Sequence, residues 1–254
     1  MDFEAILARL NLHAVLPNLE ELVGLDARAA EISGSRDICI RFVVRQGPRA
    51  FVRFQQGNCQ VGTGDPPGSD VTLFFTSCRH LNRMFAGQAN PVPLKGFTRI
   101  GFLTGPFQEL TRRLEYYLDP AQGDLADAGY EKINTRLSLF TAARAIPVLA
   151  AGDAAVQAVT SGMPAGSIVL KVLPEGPAVS LTFGGAGIVM NKGEVDQPSA
   201  CMYFKDIHTA GALLNQQLNP FAAIALGDVM IRGQLPLIDA MDLILDRVPH
   251  YLAA

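Results

Sequence analysis

The chain has 254 residues, 49% hydrophobic and 18% charged, with 24 Gly, 16 Pro and no Trp. That is enough chain for one large domain or two smaller ones, and enough apolar residue to exclude wholesale disorder. A net charge of −3 supplies no global positive field to collect phosphate backbones, so no nucleic-acid partner is expected.

The N-terminal "MDFEAILARLNLH" carries acidic residues where a signal peptide is basic, which predicts a cytoplasmic protein. Residues 2 to 33 read as one or two helices, interrupted at Pro17 and Gly24. "RDICIRFVV" then alternates apolar Ile38, Ile40, Phe42 and Val44 with Arg41 and Arg45, the period of a half-buried strand. Gln46-Gly47-Pro48 turns it into "RAFVRF", and "NCQVG" and "DVTLFFT" are the third and fourth strands. From Ser77 the period changes to helical, with Leu81, Met84 and Phe85 on one face and Thr76-Ser77 as N-cap. "NPVPLKG" follows, and "GPFQELTRRLEYYL" reads as a closing helix.

Residues 119 to 130, "DPAQGDLADAGY", are the most linker-like stretch. Residues 131 to 161 read as an apolar helix broken near Pro147, too interrupted by Arg144 and Pro147 to cross a bilayer. The first pattern then returns: "SIVLKVL", "AVSLTF", "GIVMN" and "ACMYFK" as strands, a helix from Asp206 to Leu218, "NPFAAIAL", the strand "GDVMIRG" and the helix "LPLIDAMDLILDRV".

The return is an internal repeat. A shift of 129 lays Val43 on Val172, Gly47-Pro48 on Gly176-Pro177, Phe54 on Phe183 and Asn90-Pro91 on Asn219-Pro220. A shift of 130 lays Ser69 on Ser199 and Phe74 on Phe204, and 134 lays Arg113 on Arg247 and Tyr117 on Tyr251. The predicted division is 1–120, a linker at 121–130, and 131–254. Asn-Pro is expected to end one helix and open a short next one, since proline is accepted in a first helical turn and rejected from an interior.

The order of elements, with "DVTLFFTSCRHLNRMFAGQANP" and "ACMYFKDIHTAGALLNQQLNPFAAIALGDVMIRG", resembles the sterol carrier protein 2 family of lipid-binding domains. The residues that carry the resemblance are Asp70, Thr72, Met84, Phe85, Gly87 and Pro91 in the first copy. In the second they are Leu213, Leu214, Pro220, Phe221 and the run Gly227, Val229, Ile231 and Gly233. The resemblance implies an α+β fold of two tandem domains, each a mostly antiparallel sheet of about five strands covered by helices. An apolar tunnel between sheet and helices would take a fatty acid, acyl-CoA, sterol or phospholipid without catalysis. The chain departs from the family in its duplication, in the lack of a clean counterpart of "GDVMIRG" in copy one, and in ending "YLAA" without a peroxisomal Ser-Lys-Leu address.

The second copy's tunnel candidates are Leu213, Leu214, Leu218, Phe221, Ile224, Val229, Ile231, Leu237, Met241 and Leu245, which would equally fill a closed core. Arg41, Arg45, Arg49 and Arg53 are placed either to hold an anionic headgroup or to form the solvated face of a sheet. The bound partner is then a lipid or similar small molecule, with transient membrane contact compatible with that role. No cofactor or metal is expected, because four cysteines and four histidines show no ligand spacing. "GGAG" at Gly184 is not a nucleotide loop. Two other readings stay open: a ligand-free interaction module in which the copies pack as a pseudo-dimer, and a lipid or acyl-CoA enzyme accessory built on Asp206, His208 or Asp228.

Overall fold

The computed structural model describes residues 1–34, 36–121, 125–185 and 187–252. The chain forms two compact units, Met1–Tyr116 and Tyr117–Ala254. The fold is α+β, with two five-stranded sheets and helices.

Unit 1 opens with helices α1 (Phe3–Leu10), α2 (Asn18–Leu25) and α3 (Ala27–Gly34), with a π-helical turn at Asn11–Val15 before Pro17. Strands β1 (Ile38–Val44), β2 (Arg49–Gln55) and β3 (Asn58–Thr63) form an antiparallel meander. Strand β4 (Val71–Phe75) lies parallel to β1, and β5 (Val92–Lys95) closes the edge antiparallel to β4, giving the order β3-β2-β1-β4-β5. Between β4 and β5 runs α4 (Cys78–Phe85), capped by the Ser77 hydroxyl, which accepts from the His80 amide at 3.1 Å. After β5 come short helical turns, among them α5 (Ile100–Phe102), and the closing helix α6 (Gln108–Leu118).

Unit 2 starts with α7 (Ala128–Gly152) and α8 (Ala154–Ser161), then β6 (Gly166–Val172), β7 (Ala178–Gly184), β8 (Gly187–Lys192) and β9 (Ala200–Phe204). Next come α9 (Ile207–Leu214), α10 (Pro220–Leu226), β10 (Val229–Gly233), α11 (Leu235–Leu245) and α12 (Val248–Leu252). The sheet order is β8-β7-β6-β9-β10, the order of unit 1 in corresponding strands, with β6 and β9 parallel and every other pair antiparallel.

Ladder partners correct the residue-by-residue superposition. Ile40 pairs with Val71 and Val44 with Phe75, whereas Ile168 pairs with Ala200 and Val172 with Phe204. Val44 therefore corresponds to Val172, not Val43, and Phe75 to Phe204, not Phe74. A slip of one residue in a strand exchanges its two faces, so identities alone placed core residues on the wrong side. Asp70, not Ser69, stands opposite Ser199: the Asp70 carboxylate accepts from the Cys39 amide at 2.8 Å, and the Ser199 hydroxyl accepts from the Ser167 amide at 3.2 Å.

Three further expectations change. The missing counterpart of "GDVMIRG" is β5, "VPLK", paired to β4 as β10 is to β9. Asn-Pro opens a helix only in unit 2, where Asn219 accepts from the Ala222 amide at 3.1 Å and Pro220 takes the first turn. In unit 1 Pro91 runs straight into β5. The helix break expected at Pro147 falls instead at Asp153: α7 runs through the proline with Ala143, Ala145, Ile146 and Leu149 all buried around it. Extended Asp153 caps the new helix and satisfies its first amides, which a lone proline does not do.

Helix α7 begins at Ala128, within the stretch read as a linker, and residues 122–124 lie outside the described residues. Ala186 of the "GGAG" run also lies outside them; Gly184 ends β7 and Gly187 begins β8, so the run joins a hairpin. Among the described residues no single helix is long and apolar enough to cross a membrane.

The two cores are filled differently. In unit 1, Phe42, Phe54, Phe75, Phe102 and Phe107 form one aromatic cluster with ring centroids 6.0–6.4 Å apart. The corresponding strand positions of unit 2 hold Leu170, Phe183 and Phe204, and Met241 stands where Phe107 does, six residues before the matching arginine of the closing helix. Fewer rings fill the same architecture.

Candidate functional site

The site develops at the β9–β10 edge of unit 2. Register sets Val229 beside Phe204 and Ile231 beside Met202, while Met202 and Phe204 lie beside Leu170 and Val172. Period-2 alternation puts all six on one face, the face over which α11 packs. Much of this face is closed: Leu170, Val172, Phe204 and Val229 are buried, as are Leu237, Met241 and Ile244 of α11. Two residues along β9 and β10 from the Phe204–Val229 pair, Met202 and Ile231 are only half-buried.

Helix α9 follows β9 and packs against α7 and β9. The Asp206 carboxylate accepts from the Thr209 amide at 2.7 Å and fixes its first turn. Gly211 allows α9 to sit tightly against α7, since a Cβ there would come within 2.5 Å of the Thr135 hydroxyl. Leu213 and Leu214, and Leu218 beyond the helix end, are left half-buried. Helix α10 then crosses beside β10, with Ala223 its one buried residue and with Gly227 in the left-handed region at φ +77° ending it. Phe221 is 80% exposed, Ile224 41% and Leu226 75%.

The ten tunnel candidates thus separate into three groups. Val229, Leu237 and Met241 are core; Leu213, Leu214, Leu218, Ile231 and Leu245 are half-buried; Phe221 and Ile224 stand in solvent. Met202, absent from the sequence reading, belongs to the second group, and its pairing with Ile231 becomes visible only once the register is known.

The polar residues near this edge have separate tasks. Lys205 Nζ lies 3.0 Å from Asp228, a bond that raises the lysine's pKa. Asp206 is held below the usual carboxylate range, first by the Thr209 amide. His208 Nδ1 lies 2.7 Å from Glu131 of α7. Asp206, His208 and Asp228 each have a different partner and do not converge on one point. Ser77 and Asp206 are matching caps, so His80 of unit 1 corresponds to Thr209. The His80 Nδ1 accepts from the Thr76 amide, and its Nε2–H donates to the Asn90 carbonyl at 2.8 Å. Among the described residues no group of three or more His, Cys, Asp or Glu is placed to hold a metal.

The four headgroup candidates Arg41, Arg45, Arg49 and Arg53 form no common anion cradle. Arg41 and Arg49 share Asp65, at 2.6 and 2.7 Å, and Arg53 lies over the Phe51 ring at 6.0 Å. These two pairings hold the Asp65 pKa down even though burial acts to raise it. Arg45 faces a separate open cleft of about 610 Å³, lined also by Asp2, Glu4, Ser77, Cys78 and Arg79. Burial, followed by the nearby Asp2 carboxylate, raises the Cys78 pKa and keeps its thiol protonated.

A device in both units ties the closing helix down. Asp153 accepts from the Ala155 amide at 2.8 Å, from Arg247 Nε at 3.1 Å and Nη2 at 3.0 Å, and from the Tyr251 hydroxyl at 2.9 Å. In unit 1, Asp26 accepts from the Ala29 amide and from Arg113 Nε, both at 2.7 Å, and also from Arg113 Nη2. The repeat of Arg113 in Arg247 is thus the trace of a buried clamp.

No protein-family model matches the chain, and no curated protein does. Among solved structures it is similar to palmitated SCP2L2 from Aedes aegypti, at 18% identity over 36% of this chain and 85% of that one, with a TM-score of 0.28. It is also similar to sterol carrier protein 2 like 2 from Aedes aegypti, at 18% identity over 43% of this chain and 95% of that one, with a TM-score of 0.30. The third likeness is to the inverting sec-alkylsulfatase Pisa1 from Pseudomonas sp., at 10% identity and a TM-score of 0.30; it covers 57% of this chain and 28% of the sulfatase.

Proposed function

We propose that unit 2 binds a hydrophobic small molecule, of the fatty acid, acyl-CoA, sterol or phospholipid class, between the β9–β10 edge and helices α9 to α11, and that it carries it without chemical change. The observation that supports this reading is the set of half-buried apolar residues Met202, Ile231, Leu213, Leu214 and Leu218 beside a buried apolar floor. A wall of this kind favours an alkyl chain by about 0.8 kcal/mol per buried methylene and needs no catalytic group. In unit 1 the aromatic cluster occupies the corresponding interior, so cargo binding is assigned to unit 2 alone. The separate pairings of Asp206, His208 and Asp228 favour a carrier over an enzyme accessory.

The test is a titration of delipidated protein with cis-parinaric acid. Saturation is expected at one ligand per chain. Met202→Trp, which fills the half-open part of the wall, is expected to weaken binding about tenfold or more with an unchanged circular dichroism spectrum, the equivalent of about two lost methylene contacts. Absence of saturable binding, or full affinity in Met202→Trp, would remove the proposal.

A further inference from the structure

Helix α10 is at odds with its surroundings. It is well capped at both ends, by Asn219 and Gly227, yet it buries only Ala223 and turns Phe221, Ile224 and Leu226 outward. Among the described residues, Phe221 and Leu226 are the most exposed large hydrophobics. A helix held in that attitude costs free energy in water unless something apolar receives it.

Charge and area narrow what receives it. From Thr209 to Gly227 not one residue is charged, and the approach to α10 is through neutral Asn215, Gln216, Gln217 and Asn219. At the margin, Lys205 and Asp228 neutralise one another. On α11 and its C-cap the exposed Asp239, Asp242 and Asp246 disfavour an anionic surface, and burial, then the other two carboxylates, raises the Asp242 pKa. A charged protein partner would find no complement on α10. The three outward side chains offer roughly 350 Å² of apolar surface, well below the roughly 800 Å² per partner of a stable protein interface. A short uncharged helix of that size suits shallow insertion at a lipid–water boundary.

We infer that α10 is a membrane-docking helix that seats Phe221 and Leu226 in the surface of a zwitterionic bilayer, an inference that rests on the carrier reading and gives it a route for cargo. Docking brings the half-buried Leu213, Leu214 and Leu218, part of the proposed cargo wall, toward the acyl region.

The experiment uses phosphatidylcholine vesicles and the full chain. Because the chain contains no Trp, Phe221→Trp supplies a single reporter. Its emission is expected to shift to the blue on adding vesicles and to be quenched by lipids brominated in the acyl chain. Wild type is expected to float with the vesicles equally in low and high salt. The double variant Phe221→Asp, Leu226→Asp, both at exposed positions, is expected to lose about 100-fold or more in partitioning. Failure of wild type to float, or undiminished flotation of the double variant, overturns the inference. So does a concentration-dependent dimer, seen by sedimentation and abolished in the double variant, without vesicle binding. A parinaric acid titration without vesicles separates the two claims: docking without saturable ligand binding removes the carrier reading and leaves the surface, and the reverse removes the surface alone.

Discussion

Asp153→Ala is expected to destabilise unit 2 by about 3 kcal/mol or more, measured by chemical denaturation, because it removes the acceptor from a nearly buried ion pair and a helix cap together. The Asp153 side chain is 5% exposed and Arg247 36%, so the loss falls mainly on the buried side: the α8 amides lose their capping acceptor and Tyr251 loses its bond to Asp153. Asp153→Asn, which keeps the shape and one acceptor, is expected to recover part of the loss. Asp26→Ala is expected to act in the same way on unit 1, through Arg113 and the Ala29 amide. The pH dependence has a definite sign. Burial acts to raise the Asp153 pKa, but bonds from Tyr251, Arg247 and the α8 amides outweigh it and leave it below 3.8. A depressed carboxylate stabilises the fold fully above its unfolded pKa, so the contribution is present at neutral pH and is lost as pH falls through the folded value. Burial and the Asp153 bond raise the Tyr251 pKa above 10.0, so its contribution is present at neutral pH and lost as pH rises through the folded value. Equal acid sensitivity of wild type and Asp153→Ala would contradict the clamp.

Gly233→Ala is expected to cost about 2–4 kcal/mol and to loosen the β9–β10 edge. Gly233 sits at φ +89°, and a Cβ there would fall onto the Ser199 carbonyl oxygen, which already accepts from the Gln234 amide at 2.9 Å. The neighbour is backbone, so it has no rotamer by which to give way. Gly96 repeats the device in unit 1: φ is again +89°, and a Cβ would lie 2.6 Å from the carbonyl oxygen of Asp70, the residue that corresponds to Ser199. Gly227→Ala, at φ +77° with open space around it, is expected to cost only about 1 kcal/mol, and it serves as the control for backbone strain without a clash. A Gly233→Ala protein as stable as wild type would mean that the edge does not need this turn.

Periodicity alone made the strands, the amphipathic helices and the caps Ser77 and Asp206 readable, because alternation and capping are local properties. The repeat was readable in outline, from Gly47-Pro48 and Arg113-Tyr117 onward. Its register was not, because turns of different length displace β1 and β4 by one residue, and only ladder partners reveal that. The clamp was half-visible: Arg113 and Arg247 stood out as repeats, but Asp26 and Asp153 lie 127 apart rather than 134, so no single shift joins acid to base. The candidate site was legible as a set of apolar residues and illegible as a surface. Sequence spacing gives Leu237 and Phe221 the same chemical description, yet one is fully buried and the other 80% exposed, a difference set by long-range packing.

The phenylalanine cluster of unit 1 has a practical optical consequence. Of the five tyrosines, Tyr130, Tyr203 and Tyr251 lie in unit 2 and Tyr116 and Tyr117 on α6, the helix that closes unit 1, and no Trp exists to outshine them. Tyrosine emission is therefore weighted toward unit 2, while far-ultraviolet circular dichroism follows both. Comparing the two transitions in an unlabelled sample tells whether the units melt together or one after the other.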